Sequence, residues 1–340
     1  MKNSNRRWVL AAHPKGLPKE TDWRLEEEPV PDPGDGEMLV RSIYLSVDPY
    51  MRGRVSDAKN YAAGVQIGEV MHGGGVGEVV RSNLDGFRPG DIVESMRFHW
   101  QEFATLKAAG TRKVDPSIAP IHTALSCLGM PGLTAYFAME TIGKPQAGET
   151  VLVSAASGAV GQVVGQIAKL RGCRAVAVAG SAEKLAWCKE IGYDAGINYK
   201  TAGDIGAAVA EACAQGVDIY FDNTGGEIHD AAMDNLALHA RIIICGMVSR
   251  AAEFDAPDIG ERQMRKLLVA RARMEGFLVL DHMERTPEAL AELAGWYNGG
   301  QLKFREDIVA GIENVPTALL RLFSGENFGK QLVKVGEEVT

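Results

Sequence analysis

The chain has no CxxC spacing and no dense cysteine cluster. Its five cysteines, Cys127, Cys173, Cys188, Cys213 and Cys245, are odd in number, and the nearest two stand 15 residues apart. That pattern excludes a disulfide framework and the usual structural zinc sites. His72, His99 and His122 are scattered without a thiolate partner or H-x-x-E-H spacing, so they read as core or surface residues and no metal is expected. No run of roughly 18 apolar residues occurs, and the opening MKNSNRRWVL lacks an apolar signal core. Neither a membrane span nor a signal peptide is therefore expected, and the expected compartment is the cytoplasm. Positive charge is also short: 36 Lys and Arg against 44 Asp and Glu leave a formal net charge of −8, which argues against nucleic acid or an anionic membrane as main partner. What remains is 340 residues, 46% hydrophobic and 24% charged, enough for two packed domains.

The chain is organised around residues 150–184, TVLVSAASGAVGQVVGQIAKLRGCRAVAVAGSAEK. TVLVSAA is apolar and β-branched, as a buried parallel strand requires, and AVGQVVGQIAKL continues with apolar residues at helical spacing. Between them, Ala156-Ser157-Gly158-Ala159-Val160-Gly161 is a form of the dinucleotide fingerprint with Ala in place of the first glycine. Gly158 lets the backbone approach a pyrophosphate, Gly161 lets the helix sit tightly on the strand, and the helix N-terminus favours the anion. At the end of the second strand, where an NAD site places Asp or Glu, this chain has Gly180, Ser181 and Lys184. Without the acid nothing repels a 2′-phosphate, and Ser181 and Lys184 can donate to it, so the expected coenzyme is NADP(H). Ser181 also reads as the cap of the helix that follows.

The sequence on either side differs in character. Residues 1–128 carry short apolar runs, EMLVRSIYLSV, IGEVMHGGGVGEVV and DIVESM, separated by turn clusters, the pattern of a β-rich unit. From Met130, strands and helices alternate as in a doubly wound parallel sheet, with YDAGINY, VDIYFDN, ARIIICG and EGFLVLD as strands and EKLAWCKEI, GDIGAAVAEACA, EIHDAAMDNLA and ERQMRKLLVARARM as helices. Thr286 reads as a cap with Pro287 in the first turn. The tail reads as strand, helix and closing strand. The expected domains are 1–128 with 310–340, and 129–309.

With LSVDPYMRGR, LGMPGLTAYFAM, AASGAVGQVVGQIAKL, GSAEK, YFDNTGGEIHDA, ICGMVS, RMEGFLVLD and NFGKQLVKV in place, the chain resembles the medium-chain dehydrogenase/reductase superfamily. Within it, it is similar to the zinc-independent branch that holds prostaglandin reductases, double-bond reductases and bacterial curcumin reductases. The resemblance implies an α/β protein: a GroES-like β-rich barrel domain plus a doubly wound Rossmann domain, with NADPH lying between them. It implies that Gly158, Ala159, Val160 and Gly161 hold the pyrophosphate and that Lys184 and Tyr199 bracket the adenosine phosphate. Asn223, Cys245, Gly246, Met247, Val248, Ser249, Phe277, Leu278, Val279 and Asn327 match segments lining the nicotinamide side. A homodimer is implied through the edge strand EGFLVLD.

Without a Lewis acid, reduction of an isolated ketone is hard, whereas a conjugated enone spreads the charge of hydride addition into an enolate. The implied reaction is NADPH-dependent reduction of the C=C bond of α,β-unsaturated ketones and aldehydes, with hydride to the β-carbon and a proton to the α-carbon. Tyr61 matches a tyrosine that the curcumin-reductase group places over the substrate and is the candidate proton donor. Tyr50, with Arg52 nearby as a positive neighbour, is the other. A tyrosine that relatives carry before RMEGF is missing from LLVARARMEGF. Tyr61, Met130, Met247 and Phe277 are candidates to line an apolar pocket for a hydrophobic enone or enal. A quinone reductase using the same coenzyme, and an NADPH-binding protein without turnover, are the alternative readings.

Overall fold

The computed structural model describes residues 3–58 and 60–338. Its strands are β1 (Ser4–Leu10), β2 (Trp23–Pro29), β3 (Met38–Ser46), β4 (Gly75–Ser82), β5 (Ile92–Ser95), β6 (Phe103–Leu106), β7 (Thr111–Lys113), β8 (Thr150–Val153), β9 (Arg174–Ala179), β10 (Ala195–Asn198), β11 (Val217–Asp222), β12 (Leu236–Ile244), β13 (Arg273–Gly276), β14 (Glu306–Ala310) and β15 (Lys330–Lys334). The chain forms two compact units. One comprises the residues up to Leu125, Ala251–Asp255 and the residues from Glu306 onward, and the other Ser126–Arg250 with Ala256–Arg305.

The first unit is β-rich. Its larger sheet runs β14-β15-β3-β4-β5-β7, with β6 on β3, and β1 and β2 pair separately. β14 and β15 are parallel, and β15 lies antiparallel to β3. The core gathers Met38, Val40, Leu45, Val79, Val93, Phe98 and Trp100, closed by Ile312, Val315 and Leu319 around the helix Val315–Ser324. β3 and β15 are buried on both faces, because Ile43, Tyr44, Val76 and Leu332 pack into a second cluster with Ile121, Ala124 and Leu125. The short segment Ala251–Asp255 belongs here because Arg52 Nε donates to the Ala251 carbonyl at 2.9 Å and Ser56 Oγ donates to Asp255 at 2.5 Å. Those bonds span 199 residues of sequence.

In the second unit a six-stranded sheet has the order β10-β9-β8-β11-β12-β13, with every neighbouring pair parallel. In chain order within the unit this is the mononucleotide-pair arrangement in which the strand direction of winding reverses beside β8, so ligands are expected at the strand C-termini there. All four residues of β8 are buried, as a central strand covered on both faces requires. The helix Gly161–Leu170 buries Val163, Val164, Ile167 and Ala168.

Three local readings need correction. EGFLVLD is not a strand throughout: β13 ends at Gly276, where the Phe277 N–H makes a further bond to the Ile244 carbonyl at 3.0 Å, and Val279–Arg285 then turns as a 3-10 helix. The Phe277 ring stacks on His282, with centroids 5.2 Å apart, which pulls the chain out of the ladder. The helix read from ERQMRKLLVARARM spans only Met264–Ala270, and Arg273 and Met274 join β13 because they pair with Arg241 and Ile242 of β12. Arg285, not Thr286, occupies the cap position of the helix Thr286–Asn298.

Candidate active site

The fingerprint loop is tight. Ala155 has φ +48°, a left-handed conformation costly for a residue with a side chain, and its carbonyl accepts the Gly158 N–H at 2.8 Å. A Cβ at Gly161 would stand 2.4 Å from that same carbonyl and 2.7 Å from Ala156 Cα, and one at Gly158 would stand 3.0 Å from it. The glycines are thus demanded by backbone on backbone. Ala156, in the place of the first fingerprint glycine, is fully buried. The helix Gly161–Leu170 then starts at Val160 with no side-chain cap. The Gln162 and Val163 N–H groups already donate to the Gly158 and Val160 carbonyls at 3.1 and 3.0 Å, so what this end offers an anion is chiefly the positive end of the helix dipole.

At the end of β9, Tyr199 and Lys200 stand against Gly180, and Ser181 and Lys184 open the helix that follows. Ser181 Oγ accepts the Lys184 N–H at 3.2 Å, so it caps the helix Ala182–Glu190 while its own hydroxyl proton remains available to donate. Next to it, a Cβ on Gly180 would meet Tyr199 at 3.0 Å and Lys200 Cε at 3.2 Å. Lys200, exposed and adjoining Tyr199, is a further cation that the sequence reading passed over; its only signal was its place in NYKT.

Beyond β11 and β12, Asn223, Cys245, Gly246, Val248 and Ser249 come together. The N–H groups of Cys245 and Gly246 donate to the Asp222 carbonyl at 2.9 and 3.0 Å, that of Val248 to Asn223 at 3.4 Å, and Ser249 Oγ to the Thr224 carbonyl at 2.5 Å. Asn223 is fixed by Ser154, donating its side-chain amide to the carbonyl at 2.7 Å. The support beneath is Asp222, which the sequence reading did not single out. Its Oδ1 accepts Tyr220 Oη at 2.9 Å and the Thr224 and Gly225 N–H groups at 2.9 and 2.8 Å, and its Oδ2 faces His229 Nδ1 at 2.8 Å. Burial alone would raise this carboxyl, but His229 and the two N–H groups outweigh it and hold it below the usual range. Gly225 and Gly226, at φ +67° and +63°, turn the chain from this carboxylate into the helix Gly226–Met233. Met247 is 47% exposed, whereas Phe277 and Val279 are buried and Leu278 is half-buried. Met130, half-buried, opens the helix Met130–Ala138.

The remaining candidates lie in the β-rich unit. Asn327 precedes β15 and donates to the Gly329 carbonyl at 2.9 Å. Tyr61 is exposed and Tyr50 half-buried. Burial, with Asp48 adding to it, pushes the Tyr50 hydroxyl well up, against the pull of Arg54. Arg52 is engaged elsewhere: Nε donates to Ala251, Nη2 to the Gly16 carbonyl at 3.1 Å, and its guanidinium lies 4.9 Å over the Phe254 ring. The positive neighbour of the tyrosines is Arg54, 5.4 Å from the Tyr50 ring and 4.8 Å from that of Tyr61. Among the described residues no group of three or more His, Cys, Asp or Glu side chains is placed to hold a metal ion, and no helix is long and apolar enough to cross a membrane.

Residues 6–114 match the family of N-terminal domains of oxidoreductases, and residues 159–295 match the zinc-binding dehydrogenase family. Over 339 residues the chain is 42% identical to an NADPH-dependent curcumin reductase of Escherichia coli, covering 98% of each. The chain belongs to the medium-chain dehydrogenase/reductase superfamily. Among its members it is also 39% identical over 342 residues to a 2-alkenal reductase (NADP(+)-dependent) of Nicotiana tabacum, covering 98% of each. The crystal structure of CurA from Vibrio vulnificus in complex with NADPH superposes with a TM-score of 0.92 at 42% identity, covering 98% of this chain and all of that one. Both halves of the superfamily fold, and not the nucleotide sheet alone, are therefore shared.

Proposed function

We propose that this protein is an NADPH-dependent reductase of the conjugated C=C bond in α,β-unsaturated ketones and aldehydes. The observation that carries the coenzyme is the surface after β9: Tyr199 and Lys200 stand against Gly180, and the capping hydroxyl of Ser181 and Lys184 follow at the start of the next helix. A 2′-phosphate suits these hydroxyls and cations, and Gly180 stands at the strand end where an NAD site places the acid that accepts from the ribose diol. The tight loop from Ala155 to Gly161, where Gly161 admits no Cβ, and the helix that starts behind it with no side-chain cap fit a pyrophosphate held at the positive end of the helix dipole.

When bound, NADPH supplies hydride to the β-carbon. The chain's own part is to orient the enone, exclude water and deliver a proton to the α-carbon, for which Tyr61 is the proposed donor and Tyr50 its neighbour. Asn223, residues 245–249 and Phe277 to Val279 are proposed to face the nicotinamide, with Asn327 completing that side; Met130, Met247 and Phe277 are proposed as apolar lining. Residues 1–128 with 310–340 are proposed as the substrate-side domain and 129–309 as the nucleotide-binding domain. The reading also takes the chain as cytoplasmic and homodimeric, β13 being an edge strand whose four residues are all exposed. Sedimentation of the purified protein tests the dimer.

The deciding experiment follows NADPH oxidation with a panel of enones, enals and quinones and identifies the products. Saturated ketones from enones, with slower turnover of quinones, are expected. Coenzyme binding without oxidation by any enone or enal would refute the reading.

A further inference from the structure

Arg54 ends the short helix Met51–Arg54 and is 9% exposed. Its Nη1 is buried and finds no hydrogen-bond acceptor among the described residues. A guanidinium taken out of water in this way is costly unless something answers its charge. Other buried cations of this unit have a carboxylate to answer them: Lys330 Nζ lies 2.6 Å from Asp48, and Arg52, whose Nη1 is likewise unpartnered, meets two carbonyls and, at 3.7 Å, Asp255. Arg54 has instead the rings of Tyr50 and Tyr61, at 5.4 and 4.8 Å. A cation against a phenol ring is attracted by the π face and is attracted more strongly once the phenol has lost its proton.

We propose that Arg54 is the positioning residue of the proton-delivery step: its guanidinium packs Tyr61 and Tyr50 side by side and stabilises the phenolate that Tyr61 becomes. The inference rests on the reductase reading above and deepens it. After NADPH has given hydride to the β-carbon, the enolate's electron pair forms a C–H bond at the α-carbon with the Tyr61 hydroxyl proton. The O–H bonding pair stays on the tyrosine oxygen, and water returns the proton before the next cycle. Arg54 touches neither substrate nor coenzyme in this scheme. It acts through the ring, and it keeps a buried donor in reserve at Nη1.

Other charged groups stand near these rings. Asp48 faces Tyr50 but is paired with Lys330. His72 is held below its ordinary value by burial first, then opposed by Glu69 and pushed further down by Arg54. His99, stacked on His72 with centroids 4.8 Å apart, is pushed down to about 4 by burial and by His72. The two imidazoles, both lowered, act on the acid side of a pH profile and leave the alkaline side to the tyrosines.

The test compares full-length wild type, Arg54→Met, Arg54→Lys and Tyr61→Phe. One measurement is the pH dependence of kcat and KM with NADPH and an enone, and the other is phenolate absorbance in the resting protein, without coenzyme or substrate. The phenolate component that Tyr61→Phe removes should move up by about one pH unit in Arg54→Met, as expected for loss of one nearby opposite charge. The alkaline limb of kcat should move with it, and kcat should fall roughly tenfold with much less change in KM. Arg54→Lys, which keeps the charge, should recover most of both effects. Should Arg54→Met fail to fold, Arg54→Gln carries the same comparison. An unmoved phenolate titration in the neutral variant, or a lysine variant no better than the methionine one, overturns the proposal. Absence of enone turnover in wild type would instead sink the reductase reading, and the resting-state titration would still decide whether Arg54 governs Tyr61.

Discussion

His229 Nδ1 stands 2.8 Å from Asp222 Oδ2, and this one contact fastens the helix Gly226–Met233 to the end of β11. Asp222 simultaneously receives the N–H groups that shape the turn at Thr224 and Gly225, so the pair holds the floor under Asn223 and residues 245–249.

The pair makes stability depend on pH. Asp222 is depressed in the folded state, so its contribution is present above the unfolded carboxylate value of about 3.9 and is lost as pH falls through the lower folded value. His229 is raised, chiefly by its bond to Asp222 and against burial, so its contribution is complete below about 6.5 and is lost as pH rises through the higher folded value. Between those limits His229→Leu should cost about 1.5–3 kcal/mol, and less at alkaline pH. Denaturant midpoints measured across pH in both proteins check this. A deficit independent of pH would assign the contact to packing.

Coenzyme choice should follow the lysines. Lys184→Ala and Lys200→Ala should each weaken NADPH by roughly tenfold or more, the loss of one charge-assisted bond, and leave NADH nearly unchanged. Dissociation constants from coenzyme fluorescence decide it, and equal losses for both coenzymes would refute the phosphate assignment.

Gly161→Ala should be among the most damaging single-methyl additions in the chain. Its Cβ would fall 2.4 Å from a backbone carbonyl that cannot rotate away, so the helix must shift off β8. About 1–3 kcal/mol of stability should be lost along with coenzyme affinity, as read from thermal melts with and without NADPH. A variant that melts and binds like wild type would show the loop to be looser than described.

Lys330 and Asp48 form an ion pair that is almost wholly buried in the β-rich unit, with Lys330 also donating to the Val47 carbonyl at 2.8 Å. Lys330→Met strands the carboxylate and should cost about 3–5 kcal/mol, whereas the double variant Lys330→Met with Asp48→Leu should regain much of that. Chemical denaturation of the three proteins reads the coupling, and simple additivity would mean the two residues do not share one interaction.

The nucleotide sheet was legible in the sequence because its signals are local. A buried apolar strand, a glycine forced by backbone contact and a helix at 3.6-residue spacing all lie within residues 150–184, and an acid missing from one position can be read by counting. Alternation of strands and helices then implies a parallel doubly wound order. The β-rich unit was legible only as short strands between turns. Its pairing, with β15 returning to β3, joins residues nearly 300 positions apart, as Tyr44 and Lys334 are.

The structure decided what depends on partners far along the chain. DPYMRGR offers Arg52 and Arg54 as equal neighbours of Tyr50, and only folding commits Arg52 to Ala251, 199 residues away, leaving Arg54 against the rings. The same long-range bonds assign Ala251–Asp255 to the β-rich unit in the middle of the nucleotide-binding sequence. Periodicity and turn chemistry record what a residue's neighbours within a few positions demand. They hold no trace of which carbonyl, ring or carboxylate arrives from elsewhere, because that choice is made by packing and charge burial after the elements have formed.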